Sequence, residues 1–184
     1  MTAARFCLLC SAPLHAVREG GKPRRRCRRC GWTFYDNPVP AVVAVIHRGR
    51  RILLTRRAAE PYAGTWDLPG GFVEAGERPD QALRRELREE LGLALARVRV
   101  FTLESDRYGP DGFPVLPITY EATVVSGRLR PADDVSAAEW FAEDALPYRA
   151  IAFPSVRRTL RAYVRARRRA RATGRSRRAR AGSS

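Results

Sequence analysis

Four cysteines, all within the first thirty residues, constrain this chain most tightly: they stand as Cys7-Leu-Leu-Cys10 and Cys27-Arg-Arg-Cys30, a C-x2-C-x16-C-x2-C spacing. Each pair falls in a short turn whose backbone amides can point at thiolates. Two such knuckles bring four sulfurs into a tetrahedron suited to Zn²⁺. Arg26, Arg28 and Arg29 beside the second knuckle lower thiol pKa values and partly offset the −2 charge of a four-thiolate zinc site. Disulfides need an oxidising compartment and an export signal, which the first ten residues do not resemble, so disulfides and free thiols are the lesser readings. A ribbon this small folds only around its metal.

The remainder of the 184 residues suffices for one ordinary domain, and 45% hydrophobic residues are enough for a real core. No apolar run approaches the roughly 18 residues of a membrane span, so a soluble cytoplasmic protein without membrane contact is expected. The formal net charge of +16 is uneven: residues 1–30 carry +7, residues 31–156 carry −3 and residues 157–184 carry +12. Basicity belongs to the ends, and any phosphate chemistry in the slightly acidic middle needs another source of positive charge, such as a metal. The last stretch, Ala170 to Ser184, holds five arginines and no acidic residue among Ala, Gly and Ser. It reads as disordered from residue 169 onward and as a candidate for weak, sequence-independent, salt-sensitive contact with nucleic acid.

The middle reads as alternating strands and helices. Ala41 to His47 is a continuous apolar run, Arg48 to Arg51 a turn and Ile52 to Thr55 apolar again, the pattern of a hairpin with a buried strand. Gly64 to Gly71 is a loop with a short strand. Pro79 to Leu91 is a helix with Leu83, Leu87 and Leu91 as its stripe and Gly92 as its stop, although Arg78 offers no capping acceptor. Val98 to Leu103, Val115 to Val124 and Glu139 to Phe141 are further strands, and Ser155 can cap a last helix with Val156, Leu160, Tyr163 and Val164 on its apolar face.

On the helix Pro79 to Leu91, Glu86, Glu89 and Glu90 fall within about one third of the circumference. Carboxylates crowded on one face repel one another, and a hard divalent cation removes that cost. Taken alone, a solvated face of Arg/Glu pairs is the commoner explanation. The preceding segment changes this. Gly71, five residues, Glu77, seven residues and then Arg85-Glu86-Leu87-x-Glu89-Glu90-x-Gly92-Leu93 match G-x5-E-x7-R-E-U-x-E-E-x-G-U at every specified place, where U is aliphatic. Seven fixed identities coincide by chance on the order of once in 10⁸ starting points.

On these residues the chain resembles the Nudix hydrolases over about residues 39–168, and Gly64-Thr-Trp-Asp-Leu-Pro-Gly-Gly71 and Arg51 to Arg57 are similar to the lead-in of that family. The resemblance implies an α/β/α sandwich with a mixed sheet, preceded by the ribbon of residues 1–38, and attack of water on a nucleoside diphosphate linked to another group. It makes Glu86, Glu89 and Glu90 ligands of Mg²⁺ (or Mn²⁺), and Glu77 either a further carboxylate near the site or the partner that orients Arg85. Gly70 and Gly71 let backbone approach the phosphates or simply make a tight turn. The general base stays open among Glu89, Glu90, Glu104, Glu121 and Glu143.

A four-cysteine ribbon directly before the box, with Cys30-Gly-Trp-Thr-Phe-Tyr-Asp-Asn-Pro38 following it, is similar to the zinc-ribbon Nudix enzymes, which include NADH pyrophosphatases and hydrolases of ADP-ribose or FAD. Tyr108-Gly-Pro-Asp-Gly-Phe-Pro-Val-Leu-Pro117 lacks the S-Q-P-W-P-F-P-x-S array of the NADH branch. ADP-ribose or FAD is therefore the expected substrate, with an NADH-type pyrophosphatase as one alternative and a nucleic-acid-associated, cap-removing hydrolase or binding protein as another. A metal-free regulator on this fold is disfavoured because every box carboxylate is kept. Trp66 and Phe153 are candidates to stack on a base, although aromatics in such places more often belong to a core. His15 and His47 lack partner spacing and read as surface or packing residues. The resemblance leaves room for a homodimer.

Overall fold

The computed structural model describes residues 4–181, with side chains of the last helix described through Thr173. Residues 1–3 and 182–184, the extremities of the expected ribbon and tail, lie outside the described residues. The cysteine-bearing segment forms an antiparallel sheet of β1 (Leu14–Glu19), β2 (Lys22–Cys27) and β3 (Thr33–Phe34) in that spatial order. Gly20 and Gly21, both at positive φ, close the β1–β2 hairpin with a two-residue turn that follows the strand twist. Its apolar interior is small: buried Cys7, Leu14 and Cys27, with Trp32 and Phe34 against them.

A second sheet begins at β4 (Val39–Arg48) and continues with β5 (Arg51–Arg57), β6 (Trp66–Asp67), β7 (Leu93–Leu103), β8 (Asp106–Arg107), β9 (Pro114–Gly127) and β10 (Val135–Ala142). Its order is β10-β5-β4-β9-β7, with β6 on β5 and β8 on β9; β4 and β9 run parallel and the other pairs antiparallel. Strand side chains alternate between the two faces. Val42, Ala44, Ile46 and Leu53 meet Leu83, Leu87 and Leu91 of α1 (Pro79–Leu91), while Val45, Ile52 and Leu54 meet Val156, Leu160, Tyr163 and Val164 of α2 (Pro154–Ala181). The mixed sheet thus lies between two helices, the α/β/α sandwich that the resemblance implied.

Three local expectations are revised. The strand read at Val98 starts at Leu93, immediately after Gly92, which closes α1 in the left-handed region; several register shifts against β9 break its alternation and hid its first half. Ser155 is not the cap of α2: its backbone N–H donates to Asp106 Oδ2 at 2.7 Å, so a carboxylate from β8 caps the helix that Pro154 opens. Residues from 169 to Ala181, expected to be disordered, continue α2. Ala and Arg are among the better helix formers, and Arg167 and Arg171 tie the helix to Glu143, donating at 2.7 Å and at 2.6 and 2.8 Å. Among the described residues, no helix is long and apolar enough to cross a membrane.

Candidate active site

The leucine stripe of α1 fixes the rotation of the helix. Because Glu86 and Glu90 each precede a buried leucine, they turn toward the loop after β6 rather than to water. The helix start is held without a side-chain acceptor from Arg78: its backbone N–H donates to Gln81 Oε1 at 3.1 Å. Arg85 organises the surface of the box. Its guanidinium donates to both oxygens of Glu77 at 3.1 and 3.0 Å, to Glu86 Oε1 at 2.9 Å, to Glu89 Oε2 at 3.1 Å and to the Phe72 carbonyl at 3.1 Å. The bond from Arg85 holds the Glu77 carboxyl below its ordinary pKa. Of the two roles left open for Glu77, the geometry is that of the partner of Arg85.

Both glycines of the lead-in are demanded by the protein itself. Gly70 sits at φ 140°, and a Cβ there would fall on the carbonyl oxygen of Val42 in β4. Freed to lie against β4, Gly70 donates its N–H to Glu90 Oε2 at 2.9 Å. A Cβ on Gly71 would collide with the Glu86 carboxylate.

Glu86, Glu90, Gly70 and Gly71 share the wall of one cavity of about 330 Å³. Seven carboxylates line it, from Asp67, Glu74, Glu86, Glu90, Asp106, Asp133 and Asp134, against one cation, Arg57. Burial, followed by the nearby Asp134 charge, pushes the Glu90 carboxyl up to about 9. Burial raises Asp67 to about 7, although Arg57 Nη1 lies 3.5 Å from it, and burial also raises Glu86. Carboxylates that resist ionising together are what a hard divalent cation relieves, and this all-oxygen donor set fits Mg²⁺ or Mn²⁺.

Other candidates lie elsewhere. The Glu89 side chain is 49% exposed, tied to Arg85 and outside the cavity wall. Trp66 packs edge-on against Phe141 at 4.8 Å in the core beneath α2, also outside the wall, whereas Phe153 lines it. Glu104 pairs with Arg158, Glu121 accepts from Arg99 and the Tyr163 hydroxyl, and Glu143 is held by Arg167 and Arg171; none of the three lines the cavity. His47 packs beside Glu121 and Tyr163, its Nε2 3.6 Å from Glu121 Oε1. Sequence reasoning missed Asp67, Asp133, Asp134, Arg57 and Tyr108. Two adjacent aspartates just before β10 were the available signal.

The four cysteines converge. Cys7 and Cys30 sulfurs are 3.5 Å apart, Cys10 and Cys27 3.5 Å, and Cys10 and Cys30 3.6 Å, and all four thiols are free. A tetrahedral site with metal–sulfur bonds of about 2.3 Å has sulfur–sulfur edges of about 3.8 Å. The four sulfurs therefore sit close to the spacing that a metal would require, and the Cys30 amide draws the Cys27 thiol down to about 7.

A sandwich whose loop-helix segment brings the Glu86 and Glu90 carboxylates to a cavity wall fits a hydrolase of the metal-assisted type. The NUDIX domain model matches residues 37–163, and the chain belongs to the Nudix hydrolase family. An ADP-ribose pyrophosphatase of Methanocaldococcus jannaschii is 37% identical over 154 residues, covering 78% of this chain and 88% of that protein. The NAD-capped RNA hydrolase NudC of Pseudomonas aeruginosa is 32% identical over 147 residues, again 78% of this chain but 49% of NudC, so the chain spans about half the length of that relative. Among solved structures, a NUDIX hydrolase from Nitrosomonas europaea superposes with a TM-score of 0.72 at 27% identity, over 90% of this chain and 93% of that one.

Proposed function

We propose that the protein cleaves the pyrophosphate of a nucleoside diphosphate linked to another group, with ADP-ribose as first substrate and FAD as second. The observation that carries this reading is the placement of the Glu86 and Glu90 carboxylates, with Gly70 and Gly71, in the wall of one cavity. Mg²⁺ or Mn²⁺ supplies neutralisation of the pyrophosphate and a lowered pKa for the attacking water. Glu86 and Glu90 would hold the ion from the cavity wall, and Glu89, paired with Arg85 outside that wall, would complete the carboxylate set. Arg85, clamped by Glu77, keeps Glu86 and Glu89 aligned. Gly70, Gly71 and Phe153 border the space the substrate fills. The M. jannaschii relative supports ADP-ribose, as does the missing NADH array in the segment from Tyr108 to Pro117.

The similarity to NudC favours a second reading, hydrolysis of an NAD-capped RNA, with the basic α2 contacting the phosphate backbone. In both readings the cysteine cluster holds a structural Zn²⁺, and a reducing cytoplasm keeps its thiols available. The test is product identification with Mg²⁺ or Mn²⁺ on ADP-ribose, FAD, NADH and an NAD-capped RNA. AMP with ribose 5-phosphate from ADP-ribose, at the highest kcat/KM and abolished by a chelator, is the expected result. A clear preference for NADH or the capped RNA overturns the substrate assignment, and activity indifferent to chelation overturns the metal role.

A further inference from the structure

We propose that the outward face of the cysteine-bearing sheet is a docking surface for single-stranded RNA, separate from the pyrophosphatase cavity and independent of which substrate that cavity takes. From Lys22 to Arg29, six of eight residues are basic: Lys22, Arg24, Arg25, Arg26, Arg28 and Arg29. Among the described residues, Arg26 is the one of these six that pairs with a carboxylate, that of Glu19. A four-thiolate zinc removes two charges and leaves the segment strongly positive. Strand alternation sorts these cations. Cys27, opposite Leu14, turns into the small interior, so Lys22, Arg24 and Arg26 stand together on the other face of the central strand β2.

Glu19, the one acid among residues 1–35, builds this face instead of cancelling it. It accepts from Arg26 and, through Oε2 at 2.9 Å, from the Tyr35 hydroxyl, while Arg26 Nε donates to Thr33 Oγ1 at 2.9 Å. The Arg24 guanidinium lies 5.3 Å from the Tyr35 ring centroid, and Tyr35 is 49% exposed. Residues two apart on a strand are about 6.8 Å apart, close to the phosphate repeat of an extended single strand, so Lys22, Arg24 and Arg26 can follow one backbone in step. Beside that row, the exposed part of Tyr35 and the Arg24 guanidinium offer a surface on which an unpaired base can stack; a duplex keeps its bases within its own stack. RNA is the nucleic acid whose bases commonly stand unpaired, in loops, bulges and ends. The chain from Phe34 at the end of β3 to Ala41 in the cavity wall reaches at most about 25 Å, so a strand docked here lies beside the cavity.

The test titrates the full, zinc-loaded chain into a labelled, uncapped single-stranded RNA of about 12 nucleotides and into an RNA duplex of equal length, read by fluorescence anisotropy. Affinity for the single strand should fall about 20-fold between about 50 and about 200 mM salt, as three neutralised phosphates require. Lys22→Glu combined with Arg24→Glu should weaken it by about 10-fold or more, with zinc content and thermal melting unchanged. Tyr35→Leu should weaken the single strand about fivefold and leave the duplex as it was. No binding by the wild type overturns the proposal, and so does full affinity in the Lys22→Glu, Arg24→Glu protein, which would assign the RNA to another basic surface. A Tyr35→Leu protein that loses nothing, or loses single strand and duplex alike, overturns the single-strand assignment. Retention by phosphatidylglycerol vesicles without retention by RNA would make the surface one for membranes instead.

Discussion

The Glu86 carboxylate occupies the space that a side chain on Gly71 would need, fifteen positions earlier in the chain. The loop and the helix of the box are therefore one fitted unit, and the glycine is a condition for the carboxylate to reach the cavity. Gly71 lies outside the left-handed region, so alanine is compatible with its backbone. Gly71→Ala should displace Glu86 and lower kcat by about 10-fold or more, with thermal stability falling by about 1–2 kcal/mol from overpacking. Steady-state kinetics over a metal titration, beside a thermal melt, separates the two effects.

Glu90 is 95% buried, lines the cavity and accepts from Gly70, whereas half of Glu89 is in water. Glu90→Gln should cost about 10³-fold in kcat and Glu89→Gln about 10-fold, because charge held in a dry site stabilises a transition state more than charge at the rim. Equal losses from the two substitutions would contradict the geometry.

Asp134 lines the same cavity and is the foremost charge raising the Glu90 pKa after burial itself. Asp134→Asn should weaken the apparent affinity for Mg²⁺ by about 10-fold while leaving the fold intact, as loss of a carboxylate near a bound cation does. A metal titration of activity reads this directly, and an unchanged midpoint removes Asp134 from the site.

One zinc per chain is expected in the purified protein, and Cys27→Ser should lose it. Cys27 is 1% exposed and helps form the small interior of the ribbon, so proteolysis should then cut within the N-terminal segment while the body survives. Substoichiometric zinc with four freely reactive thiols would end this assignment.

Glu143, whose side chain is fully buried, links α2 to the sheet through Arg167 and Arg171. Burial raises its pKa, but the bonds from Arg171 and Arg167 outweigh that and hold the carboxyl below its ordinary value. A depressed folded pKa means stability that is complete above the ordinary carboxylate pKa, near 4.3, and lost as pH falls through the folded value. Glu143→Gln should therefore destabilise at pH 7 by about 1–3 kcal/mol and flatten the loss of stability on the acid side. Deleting residues 169–184 removes Arg171 and should reproduce part of this loss, while small-substrate kcat/KM stays within about threefold and retention of RNA at low salt falls.

The sequence by itself determined the elements whose signal is local. The leucine stripe and Gly92 delimit α1, the box spacing identifies the family, and the cysteine spacing places two knuckles, because helix period, turn chemistry and ligand spacing are properties of neighbouring residues. Sequence also put Glu86, Glu89 and Glu90 on one helix face without ranking them. Only the tertiary structure separated buried Glu90 and half-buried Glu86 from exposed Glu89, moved Trp66 out of the cavity wall and brought in Arg57, Asp67, Tyr108 and Asp134 from distant segments. It also turned the basic tail into a helix as far as Ala181, since the decisive partner, Glu143, lies 24 and 28 positions before the arginines that bind it. Burial and long-range pairing depend on how sheet and helices close over one another, and no window along the chain contains that.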